Sequence, residues 1–163
     1  MKKVLIICLL FHSFHVIAQD KVVGAYHDYF GSRMQINANH TFKYNWHFDL
    51  VQSWNKGFWT MDKDTLFFQM VPVYDTMQII NKDNKTVDSL ILSSDDIPER
   101  ITASWLTGMP FIGGGQNFEP NPDKLFFKRN RLCLVKNGKL VKKKKSGIFK
   151  GKKWPPYYIR DIK

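Results

Sequence analysis

Between Thr41 and Phe48 the side chains Phe42, Tyr44, Trp46 and Phe48 alternate with Thr41, Lys43, Asn45 and His47. Successive side chains of a β-strand point to opposite faces, so this run is a strand with one dry and one wet side. The same two-residue rhythm recurs over Val22–Phe30, Ser32–Ile36, Trp54–Met61, Thr65–Met70, Val73–Ile80, Val87–Leu92, Leu125–Lys128, Leu132–Val135 and Leu140–Lys144, while helical spacing is almost absent. The separators carry turn chemistry: Asn37–His40, Asp62–Asp64, Asn81–Asn84, Arg129-Asn130 and Asn137-Gly138 are rich in residues that accept a left-handed backbone. Asn137-Gly138 is the strongest of these signals, because both central residues of a type I′ turn need positive φ. Short turns make consecutive strands antiparallel neighbours. The expected fold is therefore all-β, an up-and-down barrel of about 8–10 strands whose closure removes the edges that so many aromatic strands would otherwise expose.

One segment breaks the rhythm. Ser93–Asp123 contains Gly113-Gly114-Gly115 and four prolines, at 98, 110, 120 and 122. Connections this long are either packed excursions or working loops, here a lid over a barrel mouth. Ser94–Glu99 carries a helix-capping pattern and leads toward Leu106.

The chain opens with Lys2 and Lys3, an apolar run Val4–Phe11, and Val16-Ile17-Ala18 before Gln19. That order reads as a secretory signal over 1–18, and the apolar run is shorter than a membrane span requires. The expectation is a secreted or periplasmic protein beginning at Gln19, with Cys133 left alone and no disulfide to form. In the run Leu132-Cys133-Leu134-Val135 the thiol reads as inert core. Charge is segregated: residues 19–123 hold eight Lys and Arg against thirteen Asp and Glu, whereas residues 124–163 hold fifteen against one. Such asymmetry points to an anionic partner.

Gly24-Ala25-Tyr26 at the first strand, the hairpin Gln35–Tyr44, Lys56-Gly57-Phe58-Trp59 and Asp64–Phe68 together resemble the small secreted lipocalin-like (calycin-type) proteins of bacteria with two membranes. The resemblance covers about residues 22–92 and implies a lipocalin-like barrel able to take a small ligand. Lipocalins proper open with Gly-x-Trp and usually pack a basic residue from a late strand over it. Here Tyr26 stands in the tryptophan's place, and the sequence singles out no basic residue. Gly24 and Gly57 read as positions of close backbone approach, and Tyr26, Trp46 and Trp59 as closing a barrel end.

No catalytic signature is present: there is no Gly-x-Ser-x-Gly, no phosphate-cradling glycine loop and no His-Glu-x-x-His. His27, His40 and His47 lack the spacing of a ligand set, and the pairs Asp62/Asp64 and Asp95/Asp96 sit in turns where Asp serves local hydrogen bonds. The reading is a non-catalytic protein with no cofactor and no metal. Twenty-two aromatic residues follow Ala18; Tyr44, Trp46, Trp59 and Phe68 are the candidate walls of a pocket for a small apolar or amphipathic molecule, against the alternative of a filled core.

The lysine run gives the second reading. In Leu140–Lys145 the barrel ends, and residues 146–163 form a basic, aromatic C-terminal arm. Lys142, Lys143, Lys144, Lys145, Lys150, Lys152 and Lys153 are its candidate contacts with an anionic envelope lipid or glycan. Basic stretches interleaved with aromatics also suit nucleic acid, but export argues against that partner. This makes the alternative function an envelope-associated interaction protein with a filled core.

Overall fold

The structure, a computed structural model, describes residues 21–102, 114–116, 122–147 and 151–161. The signal expected over 1–18, Lys150 and much of the 93–123 segment lie outside the described residues.

β1 (Gly24–His27), β2 (Ser32–Ile36), β3 (Thr41–Phe48), β4 (Val51–Asp62) and β5 (Thr65–Met70) form an antiparallel meander. The chain then leaves it. β6 (Tyr74–Ile80) and β7 (Thr86–Leu92) pair with each other, β8 (Arg100–Ile101) runs parallel to β6, and β9 (Gly114–Gln116) runs parallel to β4. It returns as β10 (Lys124–Lys128) and β11 (Arg131–Lys136), followed by β12 (Lys139–Leu140), β13 (Lys145–Ser146), β14 (Lys153–Trp154) and β15 (Tyr157–Arg160). β10 pairs with β5 and β11, and β15 lies between β11 and β1. The result is a closed antiparallel barrel of eight strands, β1–β5, β10, β11 and β15, consistent with the lipocalin-like form expected. Among the described residues no helix is long and apolar enough to cross a membrane.

Four expectations are corrected here. The runs at 73–80 and 87–92 are strands, but they stand outside the barrel as a hairpin closed by Asn81–Asn84. Their alternation specifies pairing, yet Ile80, Val87 and Leu90 stay exposed, so no barrel face demands them. The barrel does not end at Lys145. Tyr157–Arg160, placed by sequence in a free arm, is its closing strand, because Tyr158 supplies an inward aromatic that the lysine run cannot. Leu140–Lys144 is correspondingly no full strand: pairing stops at Leu140. Finally, Ser94–Glu99 forms no helix; Asp95 caps Ile97 locally and the segment continues into β8.

Strand directions define two ends. The hairpins at Asn37–His40, Lys63-Asp64 and Arg129-Asn130 lie at one end; the turns at Asp28–Gly31 and Asp49-Leu50, with both excursions, lie at the other. The first end is closed. Val22, Tyr26, Met34, Ile36, Phe42, Trp59, Leu66, Phe68, Leu125 and Leu132 pack into one core. Trp59 seals it, its indole N–H donating to Asn37 O at 3.0 Å under the His40 ring. Tyr26 donates its hydroxyl to Val22 O at 2.8 Å, and burial pushes its pKa to about 12 against the pull of Arg160.

Arg160, on the last strand, lies over Gly24 and donates to the carbonyls of Lys21 and Val23. A Cβ on Gly24 (φ +152°) would stand 2.9 Å from Arg160 Nε, so glycine there is what lets the guanidinium settle. Arg160 is thus a basic side chain on a late strand that packs over the first one, which the sequence did not single out. Gly57 is tighter still: a Cβ would come 1.9 Å from Gln69 O. Cys133 points to the outer face, half-buried, and burial raises its thiol pKa, which keeps it protonated.

Candidate functional site

The open end is built differently from the core. Inward-facing positions of β2 and β4 run apolar near the closed end and turn polar toward the mouth: Ile36 and Met34 give way to Ser32, and Trp59 gives way to Asn55 and Ser53. Side chains this short do not fill a barrel. A cavity of about 480 Å³ opens there, lined by Asp28, Phe30, Ser32, Tyr44, Trp46, Ser53, Leu134, Lys145 and Tyr158.

Its polar floor is a connected chain. Tyr44 donates its hydroxyl to Ser32 Oγ at 3.3 Å, and Ser32 Oγ donates to Asp28 Oδ2 at 3.1 Å. The Tyr158 hydroxyl joins through hydrogen bonds with Tyr44 and Ser32. Asp28 Oδ1 accepts the backbone N–H groups of Phe30 and Ser32, both at 2.8 Å, an Asx-type turn that fixes the carboxylate where β1 passes to β2. Burial raises the pKa of both phenols, so they remain neutral hydroxyls and never compete with Asp28 as anions.

The walls are apolar. Trp46 is held by its indole N–H donating to Phe30 O at 3.0 Å and lies stacked with Phe48. Opposite, Lys145 on β13 reaches over the Phe30 ring at 5.9 Å, and Trp154 on β14 stacks on Tyr29. The β13–β14 hairpin is thus strapped to the β1–β2 turn beside the mouth. Gly147 permits this, since a Cβ there would meet the Trp154 indole at 2.5 Å.

The four wall residues expected from the sequence divide between the two ends. Tyr44 and Trp46 line the cavity. Trp59 and Phe68 face inward but belong to the closed core, at 1% and 7% exposure, and do not line it. Trp46 likewise does not close the end that Tyr26 and Trp59 close; it stands at the mouth. Of the lysines, Lys142–Lys145, Lys152 and Lys153 are exposed, and Lys145 alone among them borders the cavity. Asp28, Phe30, Ser32, Ser53, Leu134 and Tyr158 were not foreseen. Ser32 and Ser53 share parity with the core residues of their strands, which was the available signal; nothing local places Lys145 opposite Phe30.

The segment read as either a packed excursion or a lid packs, where it is described, against the outside of β4. Trp54 donates to Ser94 O at 2.9 Å, Lys56 to Asp96 O at 2.9 Å, and Lys43 pairs with Asp96 at 2.7 Å, holding that carboxyl below its usual range. A groove of about 470 Å³ lies along this seam, but Lys43 and Lys56 are both engaged by Asp96 and Trp54 by Ser94. Gly114–Gln116 runs on beside Trp46 and Ser53, forming one shoulder of the mouth. Among the described residues no three His, Cys, Asp or Glu side chains gather as metal ligands.

No known protein family, curated protein or solved structure matches this chain.

Proposed function

We propose that this chain is a non-catalytic, secreted or periplasmic lipocalin-like protein that binds a small amphipathic molecule in the mouth of its barrel. The observation that carries the reading is the cavity of about 480 Å³ with a hydrogen-bonded hydroxyl floor and aromatic walls. That volume lies within the usual range for ligand pockets, and a few converging polar groups on an otherwise apolar lining are what fix a ligand's orientation. Tyr44, Tyr158 and Ser32 meet its polar part, and Trp46, Phe30 and Leu134 meet its apolar part. Arg160 over Gly24 supports the lipocalin-like assignment, because it supplies the late-strand basic residue that such barrels carry.

Native mass spectrometry of the protein purified gently from its envelope compartment tests this. The expected result is an adduct of a few hundred daltons, lost on denaturation, and weakened in Trp46→Ala while the melting curve of that variant stays cooperative. A clean apo mass in the wild type, with Trp46→Ala indistinguishable from it in every ligand screen, would sink the reading.

A further inference from the structure

Beyond the cavity, the mouth end carries a second feature that binding of a small molecule does not use. The β3–β4 turn ends in an apolar tip: Leu50 is 75% exposed, with Phe48 at 47% and Val51 at 43%, and Tyr29 on the adjoining turn is at 48%. Isolated exposed apolar residues are ordinary, but these are neighbours. His47 N donates to Gly31 O at 3.2 Å, which ties the two turns together, and Trp46 bridges Phe30 and Phe48. The lysine strap stands on the same end, because the β11–β12 hairpin turns back there, with Val141 N donating to Leu134 O at 2.9 Å, and Trp154 anchors the β13–β14 hairpin on Tyr29. Lys142, Lys143, Lys144, Lys145, Lys152 and Lys153 are all exposed there. Asp49 is an exposed acid within the tip.

We propose that the protein docks mouth-first on an anionic phospholipid surface, with the Phe48–Val51 tip entering the head-group region and Lys142, Lys143, Lys144, Lys145, Lys152 and Lys153 lying over it. Charge complementarity selects an anionic surface, and the apolar tip selects a bilayer over a soluble or glycan polyanion, which offers nothing for Leu50 to enter. In this orientation the cavity opens toward the membrane. The inference stands without a ligand in the cavity, so vesicle binding and ligand binding fail separately.

The test is cosedimentation of the purified protein with phosphatidylcholine–phosphatidylglycerol vesicles, with pure phosphatidylcholine vesicles and soluble polyphosphate as controls. Each lysine near an anionic surface strengthens binding roughly fivefold at low salt. The triple change Lys142→Gln, Lys143→Gln, Lys144→Gln is therefore expected to weaken binding to the mixed vesicles at least about tenfold, and added salt to do the same. Leu50→Ser should weaken vesicle binding several-fold and leave polyphosphate binding unchanged. Both variants change exposed side chains, and circular dichroism confirms their fold. No binding to mixed vesicles, or vesicle binding indifferent to Leu50→Ser and matched by polyphosphate, would overturn the proposal; the latter result would make the strap a polyanion site.

Discussion

At Gly57 the backbone of β4 runs so close to β5 that a single methyl group has nowhere to go. β4 pairs with β3 over Val51–Phe58 and with β5 from Gly57 onward, so Gly57 is the residue at which β5 joins the strand. Its added Cβ would meet a backbone carbonyl, which cannot swing aside as a side chain does. Gly57→Ala is expected to cost about 3 kcal/mol or more in urea denaturation, as strained core changes do. Gly138 is the contrast: at φ +71° with open space around it, Gly138→Ala should cost only the left-handed backbone penalty, about 1 kcal/mol. Trp46 and Trp59 make the same point for side chains. They share strand type and parity of placement, and from sequence they read alike. Trp59 is fully buried, so Trp59→Ala should destabilise by about 4 kcal/mol, whereas half-buried Trp46 should cost markedly less by the same measurement. Parity tells which side of the wall a residue is on; depth along the barrel axis depends on register with strands far away in the chain.

For single elements the sequence was legible wherever a strand alternates and a short turn follows. β2 through β5 and the β10–β11 hairpin fall where the pattern puts them, because hydrophobic period and turn chemistry agree. It was illegible where membership in the barrel is a long-range matter. The 74–92 hairpin alternates well enough to be a wall strand, yet the strand it pairs with beyond itself is β8, in a separate three-stranded sheet. Tyr157–Arg160 is short, follows two prolines and a lysine-rich stretch, and gives no local sign that it completes the circle. Its importance is nonetheless testable. β15 supplies buried Tyr158 and the Arg160 contacts to Lys21 and Val23, and without it β1 and β11 become open edges. A chain truncated after Trp154 is expected to lose cooperative unfolding and to aggregate, measured by thermal melting with light scattering. If residues 155–163 were a dispensable arm, the truncated chain would melt as the full one does.

Over the whole molecule, three buried phenols tie stability to alkaline pH. Burial raises the pKa of Tyr26 to about 12, and raises those of Tyr44 and Tyr158 as well. In the unfolded chain each returns to about 10. The sign follows from proton counting: above pH 10 the unfolded state releases protons that the folded state retains, so folding stability falls as pH rises. Below pH 10 both states hold the protons and the contribution is constant. Each phenol that ionises only on unfolding steepens the loss by about 1.4 kcal/mol per pH unit, and the window runs from about pH 10 up to the folded-state values. Urea midpoints taken from pH 8 to pH 12 should therefore be flat at first and then drop sharply. Tyr26 lies toward the closed end and Tyr44 and Tyr158 toward the mouth, so the drop is a property of the barrel as one unit. Tyr158→Phe should make it shallower, at the cost of one member of the hydroxyl floor. A midpoint that stays level to pH 12 would mean that water reaches these hydroxyls in the folded state, and the barrel would then be open along its length.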